Sequence, residues 1–185
     1  LFLGVDKQEF YFGNTRKSLK NIIFVGSLIA RKEVQELINL AKCFPELIFN
    51  IVGDGPEKDK LKSNSGENVI FHNKLNRKEL CFLLKDMDLH FLPSKSEGFP
   101  KVILETASAS IPSVLYDSYG ASDWIVNNED GFIISSFDQA QILIKNLLEN
   151  PKLLPQCSAK ALMLADRFDW KSLIIDWEKI IDNLK

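Results

Sequence analysis

Six short apolar runs, rich in β-branched and aromatic residues, mark out the first two thirds of the chain. They are IIFVG (Ile22 to Gly26), LIFNIVG (Leu47 to Gly53), VIF (Val69 to Phe71), LHFL (Leu89 to Leu92), SVLY (Ser113 to Tyr116) and FII (Phe132 to Ile134). IIFVG has no polar alternation, which predicts a strand buried on both faces. Between the runs the period changes to that of a helix. Val34, Leu37, Ile38 and Ala41 share one helical face, and Leu80, Leu83 and Leu84 share another. Asn76 precedes the second of these, with Glu79 three residues on, and the pair predicts a capping box. After LIFNIVG the breaker DGPE predicts a turn, with Pro56 at the first helical position and Asp54 or Gly55 as cap. From Gln139 onward the pattern is helical only. Ala140, Leu143, Ile144 and Leu147 form one stripe, and Leu154, Cys157, Ala161, Leu164 and Ala165 a second. Leu173, Ile174, Trp177, Ile180, Ile181 and Leu184 form a third, wide for a lone surface helix. It predicts a helix that either covers the sheet or packs on a part of the protein outside this chain. Strands alternating with helices through short turns predict an α/β fold: a mostly parallel sheet of about six strands between two helix layers, closed by C-terminal helices.

Composition narrows the function classes. A chain of 185 residues, 45% hydrophobic, fills one core and predicts one domain over 1–185, although the first 20 residues or so are poorer in core signals. A net charge of −2 without a basic patch gives no electrostatic case for nucleic acid. Cys43, Cys81 and Cys157 are odd in number and widely spaced, the usage of a reducing compartment, and offer no metal-ligand spacing. No apolar run approaches the ~18 residues of a membrane span, and no signal-peptide pattern is present. A cytoplasmic setting is expected, compatible with peripheral attachment at the inner face of the membrane. The start at Leu1 reads as a piece of a longer protein.

The chemistry concentrates in LHFLPSKSEGFPKVILE, Leu89 to Glu105. This reads as strand, polar loop and amphipathic helix, with Glu97 in the loop and Glu105 about two turns inside the helix. Backbone N–H groups at such a helix start favour anions, so a diphosphate flanked by two carboxylates able to accept from sugar hydroxyls is the functional expectation. The plain alternative is a solvated loop acid and a surface helix acid. Polar residues also end the other strands: Ser27, Gly53 to Gly55, Asn73, and Ser118 to Gly120. Singly these are turn chemistry, but together they converge where an open parallel sheet binds ligands. Asp54 reads as a turn residue, His72 and His90 as structural, and Trp124, Trp170 and Trp177 as core or interface residues.

With these residues in place, the chain resembles the C-terminal domain of the GT-B glycosyltransferases, in particular the retaining family 4, "glycosyl transferases group 1". The matching segments are GVDKQEF at Gly4, FVGSLIARKEVQELI at Phe24, NIVGDGPEKDKL at Asn50, LPSKSEGFPKVILETASASIPSV at Leu92, YGASDWI at Tyr119 and FDW at Phe168. The resemblance implies a Rossmann-like half of a GT-B fold, with 1–20 as an interdomain segment and an N-terminal acceptor domain outside the chain. It implies that Glu97 is the catalytic-site acid holding the donor sugar and that Glu105 accepts from the ribose. Backbone groups of Gly98, Phe99, Pro100, Lys101 and Val102 would cradle the diphosphate, with Ser94 and Ser27 beside it and Lys32 neutralising it. Asn73, Lys74 and Leu75 would hold the base. The donor would be a UDP-, GDP- or ADP-sugar, with no cofactor and no metal, and the acceptor a glycan or lipid-linked sugar.

The implied activity is hexosyl or N-acetylhexosaminyl transfer with retention, in bacterial surface polysaccharide or lipopolysaccharide synthesis. Ser27 stands where the family has an arginine, Glu33, Asn73 and Ser110 where it has glycines, and Tyr119 at the first glycine of a pair. These departures leave two alternatives: a degenerate domain acting as a binding or scaffolding module, and a nucleotide-sugar epimerase or hydrolase.

Overall fold

The computed structural model describes residues 4–182; Leu184, counted in the last apolar stripe, lies outside them. Six strands, β1 (Asn21–Val25), β2 (Ile48–Val52), β3 (Val69–His72), β4 (Leu89–Leu92), β5 (Ser113–Tyr116) and β6 (Gly131–Ile134), form one sheet in the order β3-β2-β1-β4-β5-β6. Every pairing is parallel. The central strands are the most apolar: β4 and β5 are buried along their whole length, and β3, at the edge, is half exposed. Eight α-helices are described: α1 (Lys7–Phe10), α2 (Val34–Cys43), α3 (Lys58–Ser63), α4 (Arg77–Leu84), α5 (Val102–Ser108), α6 (Phe137–Glu149), α7 (Leu153–Arg167) and α8 (Trp170–Asp182). Contacts fall into two sets, α2 with α3 and α6, and α1 with α4 and α5, α5 in turn with α7. The architecture is therefore the three-layer α/β/α arrangement expected, with Phe24, Phe49, Phe91 and Phe132 at its centre.

Local signals are met at several helix starts. Asn76 and Glu79 form the reciprocal capping box of α4, at 3.1 and 2.7 Å. The helix expected at Pro56 begins two residues later, because Glu57 N–H is drawn to Leu28 O at 3.0 Å and Lys58 N–H closes a tight turn onto Gly55 O. That contact belongs to a zip between the loops after β1 and β2, which adds Gly26 N–H to Val52 O and Leu28 N–H to Asp54 O. A Cβ on Gly53, at φ 149°, would stand 1.9 Å from Gly26 O, so the position requires glycine.

The N-terminal stretch holds more of the core than its pattern predicts. Val5, Phe10 and Leu19 are buried, and Val5 pairs with Phe168 and Trp170 across the chain ends. Arg16 is buried too, donating to Leu84 O, Lys85 O and Ala109 O at the ends of α4 and α5. A guanidinium fork at two helix C-termini supplies donors where the helical ladder runs out. At the other end, α8 packs on α7 rather than over the sheet, leaving Trp170, Ile174, Ile175, Ile180 and Ile181 exposed.

Candidate donor site at the carboxyl ends of the strands

Strand order reverses between β1 and β4, and the loops that leave these two strands meet. After β1 the chain makes a short 3-10 turn, Ala30–Lys32, and enters α2 through Glu33 in the left-handed region, φ 51° and ψ 33°. That conformation disfavours side chains with a Cβ. Glu33 turns its carboxylate outward to Lys95, at 3.7 Å. After β4 the loop runs from Pro93 to Lys101. Ser94 is fully buried, and its hydroxyl donates to Arg31 O and Ser96 O, holding the two loops in register. Glu97 then reaches back to the turn. Its Oε1 receives Lys32 Nζ at 2.5 Å, and its Oε2 lies 3.6 Å from Arg31 Nη1, which also donates to Ser96 O. The Glu97 side chain is 8% exposed and that of Lys32 14%, so the pair is an ion pair shielded from water.

Glu105 stands in the first turn of α5, not two turns in. Phe99 explains the difference: its ring packs against Trp124 and Phe168, at 5.1 and 5.5 Å, and keeps the chain out of helix until past Pro100. Glu105 is half-buried, and its carboxylate takes no hydrogen bond among the described residues. Burial pushes its carboxyl above the usual range, while Arg77 and Lys101 pull it down and Glu9 raises it. At the opening of the same helix the N–H groups of Gly98, Lys101 and Val102 take no backbone partner among the described residues. A cavity of about 410 Å³ lies at the ends of β1 and β2, lined by Val25, Gly26, Ser27, Gly53, Lys74 and Leu75 among others. Asn73 has a negative φ, so the left-handed backbone that an asparagine there would suit is not used; its side chain accepts from Lys58 Nζ at 2.8 Å. Ser110 does take that conformation, φ 58°, in the turn that ends α5.

Tyr119 packs its ring on Trp124 at 5.8 Å, and its hydroxyl is buried without a hydrogen-bond partner among the described residues. Burial first and the Glu97 charge second raise its pKa, so the phenol stays neutral. His90 lies inside the sheet with Nδ1 2.9 Å from Ser113 Oγ; His72 meets Asn50 Oδ1 at 3.0 Å. Trp124 is buried, whereas Trp170 is exposed.

Two contributors escape a reading along the chain. Arg31 sits four residues past Ser27, too far to be assigned by spacing, and only the fold shows it on Glu97. Lys95 bridges Glu33 and Glu36 at 3.7 and 3.6 Å, tying the β4 loop to α2. A second cavity of about 260 Å³ lies against α7, beside Val126 and Met163; there Asp130 pairs with Arg167 and Glu129 with Lys160. Those charges satisfy each other, which sets it apart from the strand-end site. Among the described residues no cluster of His, Cys, Asp and Glu is placed to hold a metal ion, and no helix is long and apolar enough to cross a membrane.

An open, wholly parallel sheet between two helix layers, with loops meeting at its switch point, defines the class as a Rossmann-like α/β domain. The chain matches the model of the family "Glycosyl transferases group 1" over residues 6–162, and it belongs to that family. An uncharacterized glycosyltransferase of Haemophilus influenzae is 27% identical over 175 residues, covering 88% of this chain and 49% of that protein. The UDP-Gal:alpha-D-GlcNAc-diphosphoundecaprenol alpha-1,3-galactosyltransferase of Escherichia coli is 29% identical over 156 residues, 73% of this chain and 40% of its own length. Among solved structures, Anabaena Alr3699/HepE in complex with UDP and glucose superposes with a TM-score of 0.85 at 19% identity, over 97% of this chain and 55% of that one. The chain spans about half the length, or less, of these curated relatives.

Proposed function

We propose that this chain is the donor-binding half of a retaining glycosyltransferase, which moves a hexose or N-acetylhexosamine from a UDP- or GDP-linked donor to a glycan or lipid-linked acceptor. Bacterial surface polysaccharide synthesis is the setting we infer, in line with the galactosyltransferase relative. Residues 1–20 are the interdomain segment in this reading, and the acceptor is held by a domain outside the chain.

The observation that carries the reading is the contrast between the two acids. Glu97 is held by cations, while the half-buried carboxylate of Glu105 takes no hydrogen bond among the described residues. A half-buried carboxylate with no protein donor is open to the donors of a ligand. Ribose hydroxyls are such donors. The base lies toward Lys74 and Leu75, and the diphosphate between Lys32 and the N–H groups of Gly98, Lys101 and Val102, beside Ser27. When the glycosyl bond breaks, negative charge grows on the diphosphate and positive charge on the sugar ring. Lys32 and the fixed N–H dipoles stabilise the first, and Glu97 holds the sugar over the second.

Calorimetry of the chain with UDP, GDP and ADP tests this. One of them is expected to bind, and Glu105→Ala to weaken it by about ten- to hundredfold, since a lost charge-assisted hydrogen bond is worth roughly 1.5–3 kcal/mol. Binding undiminished in Glu105→Ala would remove the ribose assignment. No heat with any of the three would favour the scaffolding alternative, which the missing cation at Ser27 suggests.

A further inference from the structure

We infer that Glu97 is a built-in competitor for the diphosphate, occupying a two-cation site made by Arg31 and Lys32, and that its return to these cations helps expel the nucleoside diphosphate after transfer. This rests on the donor-binding reading and goes beyond it, because it gives Arg31 a role and Glu97 a second one.

The argument begins with charge. Two cations converge on one carboxylate, Lys32 on Oε1 at 2.5 Å and Arg31 beside Oε2 at 3.6 Å, so the group carries an excess positive charge. Within the group no other acid meets Arg31 or Lys32 among the described residues: Glu33 and Glu36 share Lys95, Glu36 also accepts from the Tyr116 hydroxyl, and the Tyr119 phenol is neutral. Arg31 is half exposed and uses only Nη1, on Ser96 O and Glu97; its Nη2 and Nε take no partner among the described residues. A planar fork with two free donors suits a phosphate, and Ser27 supplies no charge that would duplicate it. Lys32 is deeper, 14% exposed, and reaches the same carboxylate.

A carboxylate and a diphosphate ask for the same partners. A bound donor takes both cations and offers sugar hydroxyls to the released Glu97, so every group in the site is satisfied. A bare nucleoside diphosphate takes the cations but leaves Glu97, 8% exposed, with nothing in exchange. The site therefore favours donor over product. No bond is made or broken in this exchange; only ion pairs and hydrogen bonds change hands.

The test is a double-mutant cycle read by calorimetry, titrating UDP and UMP into the chain and its Glu97→Gln, Arg31→Ala and Arg31→Ala/Glu97→Gln variants. Glu97→Gln keeps the shape of the side chain and removes the competing charge. It is expected to bind UDP about five- to tenfold more tightly, with a smaller change for UMP. Arg31→Ala is expected to weaken UDP by a similar factor and, in the double variant, to remove most of the gain. Arg31 is half exposed, so its variant reports even if Glu97→Gln lowers the melting temperature. UDP binding equal or weaker in Glu97→Gln, or a gain that survives intact without Arg31, overturns the competition. If neither UDP, GDP nor ADP binds the unmodified chain, the donor-binding reading fails, and this inference with it.

Discussion

His90 illustrates what a single buried residue does to this domain. It is wholly enclosed in β4 beside Ser113, and burial, aided by the Lys32 charge, pushes its pKa down to about 3. The unfolded chain takes up a proton near pH 6.5 that the native state refuses. The His90 contribution is thus complete above pH 6.5 and is lost as pH falls toward 3, at about 1.4 kcal/mol per pH unit. Between pH 7 and pH 5 the chain should lose about 2 kcal/mol more stability than His90→Asn. Comparing the two proteins by urea denaturation cancels Asp88, Glu105 and Asp130, whose raised values act in the opposite sense. Equal losses in both would contradict the buried neutral ring. Glu33 is the converse case, a residue held where it is strained. A left-handed non-glycine backbone costs about 1–2 kcal/mol, partly offset in the unfolded chain when glycine replaces it. Glu33→Gly should therefore gain about 0.5–1 kcal/mol, seen as a rise of about 2 °C in Tm. His90 is legible as a structural residue of its strand, and position 33 as one where the resembled family has glycine; the partners on which Lys32 and Arg31 converge are not, since they lie 65 residues away in sequence.

Elements were more readable than residues. The strands from Leu89 to Leu92 and from Ser113 to Tyr116 have the bounds their apolar runs predict, and the capping box at Asn76 forms as its spacing predicts. What a local pattern does not contain is the pull of another loop. The start of α3 shifts because Leu28 captures Glu57 N–H, and that of α5 because Phe99 joins Trp124 and Phe168. Arg16 was unreadable for the same reason, since its value lies in carbonyls at Leu84, Lys85 and Ala109. The loop zip beneath the candidate site makes a sharp prediction. Gly53→Ala places a Cβ against Gly26 O in a conformation side chains avoid, and should cost about 3 kcal/mol or more. Gly98→Ala meets nothing within 4 Å and should leave stability within about 0.5 kcal/mol of the parent. Urea midpoints with unchanged m-values would separate the two. A mild effect at Gly53 would mean that the two loops are not closed on each other.

At the scale of the whole molecule, parallel strands with a single order reversal leave one place where several loops converge at the strand ends, and the polar residues gather there. That much followed from alternating strand and helix patterns and from where Ser27, Asn73 and Glu97 fall in them. Glu105 was found by its motif, and its placement in the first turn of α5 brings it nearer the helix opening than its spacing implied. The α8 stripe was legible as wide; its exposure is known only from the fold. Family membership is secure over residues 6–162, and the donor-site assignment is the claim on which the functional account stands. Backbone amide shifts in a ¹⁵N-labelled chain titrated with UDP test it most directly. The account predicts that the largest changes fall on Ser27, Leu75, Gly98, Lys101 and Val102. Changes confined to the α7 cavity around Val126, Lys160 and Arg167, or none at millimolar UDP, GDP and ADP, would contradict it.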